Sequence, residues 1–194
     1  MKTMKINLIT LLIFFSAGFL SAQEYKTTVQ NSKDGKLILK DFSGKLPVEG
    51  YSGSEIIITT TSENLTPPEK AKGLKAIYPG GTDNTGIGLD VEKNGNLVTI
   101  TCLLPFTRAE EFKIKVPDNL ALEFASGCER SNEISVANTK NEIDIKSCHD
   151  IELKNVTGPL VLSTISGDIN ITFSSISSDK PSSINSISGD IDIT

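Results

Sequence analysis

From about residue 132 the chain repeats an apolar–x–apolar triplet behind a turn-forming or acidic residue. The units are Asn132-Glu133-Ile134-Ser135-Val136, Asn141-Glu142-Ile143-Asp144-Ile145, His149-Asp150-Ile151-Glu152-Leu153, Gly158-Pro159-Leu160-Val161-Leu162, Gly167-Asp168-Ile169-Asn170-Ile171 and Gly189-Asp190-Ile191-Asp192-Ile193. Alternation of period two is the signature of a half-buried strand. The first apolar residues of successive units are spaced 9, 8, 9, 9 and 22 residues apart. Two ordinary steps make 17 or 18 residues, one coil of two short strands and two turns. The long last step holds Ser177-Ser178-Asp179-Lys180-Pro181, a loop bulging from a coil. Repetition of one unit favours a β-solenoid over a meander, because stacked coils put like residues on like. Ile134, Ile151, Ile169 and Ile191 would form one internal ladder, and Ile143 and Leu160 would start a second on the opposite wall.

The first half is β-rich but less regular. Leu37/Leu39, Leu46/Val48 and Ile56/Ile58 are similar apolar pairs separated by Gly or Ser turns. Leu89-Asp90-Val91 and Val98 to Cys102 flank Asn94-Gly95, a strong hairpin signal. Phe112 to Val116 alternates and stops at Pro117. Residues 66–88 read as a long loop, of a length usually reserved for functional or mobile segments. Its Lys70, Lys72, Lys75 and Tyr78 could contact an acidic partner, although a solvated loop is the favoured reading.

Residues 1–22 stand apart from this pattern. Lys2 and Lys5 precede an apolar stretch from Ile6 to Leu20, shorter than the roughly 20 residues a membrane span needs. Small residues Ser21-Ala22 come next, and the whole reads as a secretory signal peptide cleaved between Ala22 and Gln23. The expected mature domain is 23–194, with regular repeats over 132–194, no membrane span, and a secreted, periplasmic or cell-surface location.

The 194 residues carry 19 basic and 24 acidic side chains, or 17 against 24 once the leader lysines are removed. An acidic chain is a poor phosphate binder, which argues against nucleic acid as a partner. One histidine and three scattered cysteines exclude most zinc sites, and no cofactor is expected.

Together with the leader, Val48-Glu49-Gly50-Tyr51, the segment from Lys72-Gly73-Leu74 to Asn84-Thr85-Gly86, and Ser166-Gly167-Asp168-Ile169 with Ser188-Gly189-Asp190-Ile191 carry a resemblance. Over about residues 30–194 the chain resembles the bacterial "putative adhesin" β-helix domains, a family of uncharacterised function related to autotransporter adhesin heads. The resemblance implies an all-β, right-handed parallel β-helix, exported, with no assigned chemistry. Fold alone does not give function. The chain stops at Ile191-Asp192-Ile193-Thr194 in mid-repeat. The expectation drawn is a truncated C-terminus or an end capped by a partner, with end-to-end self-association as one outcome.

Four constellations could carry chemistry. Glu133, Asp150, Asp168 and Asp190 precede four stacked strands, a column that could bind a cation such as Ca²⁺ or act as an acid/base pair on sugars. The favoured reading is that they cap turns through backbone N–H groups. Ser135, Glu152, Asn170 and Asp192 form an outward row, a surface for a glycan or a protein, or simply a wet sheet face. Cys128 and Cys148, 20 residues apart and near one coil, are a candidate disulfide, although their offsets from the following Ile differ. Cys148-His149-Asp150 lists a nucleophile, base and orienter in order, yet neighbours along a strand point to opposite faces. Cys102 reads as a buried apolar residue, and Gly86-Ile87-Gly88 as turn chemistry. The expected function is a non-enzymatic adhesion or scaffold domain meeting a glycan or protein surface. The alternatives are a carbohydrate-active enzyme or an envelope assembly or stress factor.

Overall fold

The computed structural model describes residues 23–60, 70, 74, 77, 78, 80–105, 111–128, 130, 132–176 and 180–194. The signal-peptide reading of residues 1–22, Lys72, Lys75 and most of the 177–181 loop fall outside them. Among the described residues every element is a strand. In chain order these are β1 (Gln23–Thr28), β2 (Lys36–Lys40), β3 (Gly44–Tyr51), β4 (Glu55–Thr60), β5 (Ile77–Tyr78), β6 (Gly81–Thr82), β7 (Leu89–Asn94), β8 (Leu97–Cys102) and β9 (Phe112–Pro117). They continue as β10 (Ala121–Ala125), β11 (Asn132–Ala137), β12 (Ile143–Ser147), β13 (Ile151–Val156), β14 (Leu160–Thr164), β15 (Ile169–Phe173), β16 (Ser183–Ser186) and β17 (Ile191–Ile193). No helix among the described residues is long and apolar enough to cross a membrane.

Two large mixed sheets contain almost all of them. One runs β1-β4-β9-β3-β11-β13-β15-β17, the other β16-β14-β12-β10-β2-β8-β7. From β9 onward successive strands alternate between the two sheets, so every turn is a corner between them. All pairings from β9 to β17 in the first sheet, and from β8 to β16 in the second, are parallel. Antiparallel β4 and β1 finish one edge of the first sheet, and the β7–β8 hairpin, turning at Gly95 with φ 60°, finishes an edge of the second.

The triplets set this register. Leu46, Ile134, Ile151, Ile169 and Ile191 align in the first sheet. Val98, Leu37, Leu122, Ile143 and Leu160 align in the second and are at most 1% exposed. Inward side chains of both sheets form one apolar cluster, with Phe42 and Phe112 edge-to-face at 5.5 Å. Each fully buried Ile or Leu contributes about 1.5–3 kcal/mol relative to exposure, so the ladders are the main source of stability.

Three features correct the sequence reading. Ile191 takes its place in the first ladder but is 43% exposed, because no further described strand covers β17. In their two sheets β2 and β3 lie between strands that come later in the chain, β8/β9 on one side and β10/β11 on the other. The first half is therefore irregular in connectivity more than in strand content. The long loop is also partly built. β5 pairs with β6, Tyr78 packs against the core, and Asp83, 8% exposed, organises the turns that lead into β7. Its carboxylate accepts the N–H groups of Thr85, Gly86 and Gly88 at 2.8–2.9 Å and the Thr85 hydroxyl at 2.9 Å. Gly86 and Gly88, at φ 80° and 79°, supply the left-handed turns that bring those donors round.

Candidate ligand-binding surface

Chain reversal between the sheets creates two corners of different chemistry. One lies after β10, β12, β14 and β16 and carries most of the acidic column. Successive turns approach so closely there that a Cβ on Gly167 would collide with the backbone of His149, and one on Gly189 with that of Gly167. Asp150 Oδ1 accepts the Asp168 N–H at 2.9 Å, and Asp168 Oδ1 accepts the Asp190 N–H at 2.9 Å. The Thr164 and Ser166 hydroxyls donate to the carbonyls of His149 and Cys148 at 3.0 and 2.9 Å. Glu133, at the head of the column, pairs with Lys45 at 3.2 Å. Side-chain oxygens here tie one turn to the next, and among the described residues no three His, Cys, Asp or Glu side chains are grouped to hold a metal ion.

The same corner holds the disulfide joining Cys128 to Cys148, with Cα atoms 5.4 Å apart. The bond removes Cys148 from any nucleophilic role, and Asp150 faces the next turn. The Cys148-His149-Asp150 run does not converge. Nearby, Arg130 donates to the Asp41 carbonyl at 2.6 Å and the Leu104 carbonyl at 3.3 Å, tying the β10–β11 connection to two other segments. Cys102 is buried in β8 at 5% exposure.

The outward row Ser135, Glu152, Asn170 and Asp192 is in register across β11, β13, β15 and β17. Beside it run Glu49, Ala137, Lys154 and Thr172. Ion pairs lace the face: Lys26–Glu24 at 2.8 Å, Lys115–Glu49 at 3.6 Å and Lys154–Glu152 at 2.6 Å. The hydrogen bond from Lys26 to Glu24, then the charge of Glu24, raises the Lys26 pKa above the ordinary lysine value. Exposed pairs of this kind contribute at most about 1 kcal/mol each, so they add little to stability.

The second sheet presents a different outer face. Glu123 and Asp144 stand opposite each other on β10 and β12 and, with Lys146, line a shallow recess of about 360 Å³. Lys36 pairs with Glu123 at 2.5 Å. Sequence reasoning missed the facing carboxylates. Their signal was the polar centre of Leu122-Glu123-Phe124 preceding that of Ile143-Asp144-Ile145.

The other corner lies after β3, β9, β11, β13 and β15, and it was also missed. Asn138 and Asn155 sit there at φ 60° and 55°, and Asn155 Nδ2 donates to Asn138 Oδ1 at 2.7 Å. A register shift between Lys154 and Val156 leaves Asn155 as the extra residue. Backbone bonds stack these turns: Asn138 N–H to Lys154 O at 3.0 Å, Thr157 N–H to Thr139 O at 3.1 Å and Ser174 N–H to Val156 O at 3.1 Å. Asp118 pairs with Lys140 at 2.6 Å. Tyr51 covers Gly53, and its hydroxyl donates to the Glu55 carbonyl at 2.9 Å. The available signal was an Asn just beyond two triplets, in Val136-Ala137-Asn138 and Leu153-Lys154-Asn155.

No protein-family model and no curated protein matches the chain. Among solved structures it is similar to a "putative cell adhesion protein" from Clostridium sporogenes, at 14% identity over 89% of this chain and 99% of that one, TM-score 0.40. It is similar to a "putative adhesin" from Bacteroides fragilis, at 10% identity over 90% and 97%, TM-score 0.41. A "putative adhesin" from Parabacteroides distasonis is similar at 16% identity over 89% and 70%, TM-score 0.38. These likenesses are distant, and the functional reading rests on this chain's own residues.

Proposed function

We propose that the chain is an exported, non-enzymatic β-solenoid that works as an adhesion or scaffold module. It would be secreted, periplasmic or surface-held after cleavage between Ala22 and Gln23, and it would present its outer faces to a glycan or protein surface. The observation carrying this reading is the in-register outward row Ser135–Glu152–Asn170–Asp192. Parallel stacking repeats its polar groups at about 4.8 Å, which suits a partner that is itself repetitive. The leader pattern in residues 1–22 supports export. The acidic column Glu133, Asp150, Asp168 and Asp190 belongs to the architecture in this reading, because carboxylates of Asp150 and Asp168 already accept backbone N–H groups.

The test is retention of the purified 23–194 chain on intact cells and insoluble polysaccharides, with release of reducing sugar followed in the same samples. Retention without release supports the module. A second reading, a carbohydrate-active enzyme, is favoured by one observation, the facing carboxylates of Glu123 and Asp144 in a recess. Sugar release abolished by Glu123→Gln would establish it and overturn the first. The export claim is tested separately by intact mass of the protein from producing cells, where a start at Gln23 is expected and an intact leader would refute it.

A further inference from the structure

We propose that the asparagine corner is a subsite for one uncharged sugar ring. The inference rests on the reading of the protein as a surface-binding module and names a ligand class and a place for it. The recess there measures about 310 Å³ and includes Tyr51, Asp118, Lys140, Asn155, Thr157 and Ser174 in its lining. That is the lower end of the range for small-molecule pockets, enough for a ring and too little for a large cofactor.

Charge selects against an ionic ligand. Asp118 and Lys140 neutralise each other at 2.6 Å, and the other polar groups of the lining are amides and hydroxyls. Those groups have capacity left. Among the described residues no hydrogen bond engages Asn155 Oδ1, Asn138 Nδ2, or the Thr157 and Ser174 hydroxyls. The backbones of Asn138, Thr157 and Ser174 are fixed by the bonds between turns, so those side chains are presented without further ordering of the chain. Donors and acceptors on successive turns match a ligand carrying hydroxyls of both kinds around a ring. Tyr51, whose hydroxyl bonds to the Glu55 carbonyl and whose ring lies against Gly53, is the aromatic residue of the lining.

The left-handed backbone at residues 138 and 155 does not by itself require this. Glycine would meet the same φ with no steric cost. Asparagine adds an amide at each turn, and the bond between the two amides leaves a carbonyl oxygen on Asn155 and an amino group on Asn138 unengaged.

The experiment is amide chemical-shift mapping of the 23–194 chain with soluble cellohexaose, xylohexaose and mannohexaose, and oligogalacturonate as the charged comparison. At least one neutral oligosaccharide is expected to shift the amides of Asn138, Lys140, Asn155 and Thr157. Thr157→Val and Asn155→Gly are each expected to weaken that binding by about tenfold, as loss of a hydrogen bond to the ligand predicts. Lys93→Gln, in the β7–β8 hairpin, should leave it unchanged. Unchanged urea midpoints in the two corner variants separate lost binding from lost folding. Shifts confined to another face, no shift with any neutral sugar, tighter binding of oligogalacturonate at the corner, or indifference to both variants would each overturn the subsite. If the chain is retained on cells or polysaccharide while the corner stays silent, the subsite falls and the binding module stands. If retention is lost as well, both fall.

Discussion

The two corners solve the same problem, reversing the chain between sheets, with backbone bonds at both and different use of side chains. Where β12, β14 and β16 end, Asp150, Asp168, Thr164 and Ser166 are bonded to the backbone of neighbouring turns, and Gly167 and Gly189 let those turns touch. Where β11 and β13 end, backbone N–H and C=O groups stack the turns directly, and the side chains of Asn138, Asn155, Thr157 and Ser174 retain bonding capacity. The first corner is a seam of the structure. The second has groups to offer a partner.

That contrast is exposed to direct attack. The largest effect belongs to the disulfide: Cys128→Ser with Cys148→Ser should lower stability by about 3 kcal/mol in urea unfolding, from loss of the constraint on the unfolded chain. Gly167→Ala, which places a methyl against the His149 backbone, should cost about 2 kcal/mol by the same measurement. Asp168→Ala removes the acceptor for the Asp190 N–H and should cost about 1 kcal/mol. Asn155→Gly keeps the left-handed φ and should change stability by no more than about 0.5 kcal/mol. If Asn155→Gly proves as damaging as Asp168→Ala, the division between a structural seam and a free corner is gone.

Much of the architecture was legible because its cause is local. The triplets specify strand, face and register together, since a one-residue slip would turn Ile134, Ile151 and Ile169 to water. Asn94-Gly95 specified its hairpin for the same reason. The position of β2 and β3 between β8/β9 and β10/β11 was illegible, because parallel apolar strands such as Leu37–Leu39 accept either neighbour and nothing in the pattern ranks partners. The Cys128–Cys148 bridge was obscured by unequal offsets, as the β10–β11 connection is longer than the turns after β12 and β14. Of the candidate surface, the outward row was readable from the triplet centres. The asparagine corner was not, since an Asn after a strand reads first as a turn former.

The wedged position of β2 and β3 bears on the order of assembly. β2 pairs with β8 on one edge and β10 on the other, and β3 with β9 and β11. Neither strand has a parallel neighbour until residues 97–137 are available, so both edges stay open while some sixty residues of chain are still to come. β12 to β17, in contrast, extend the two sheets in chain order. A nascent chain would therefore need its early strands shielded from one another's copies until the middle of the sequence arrives.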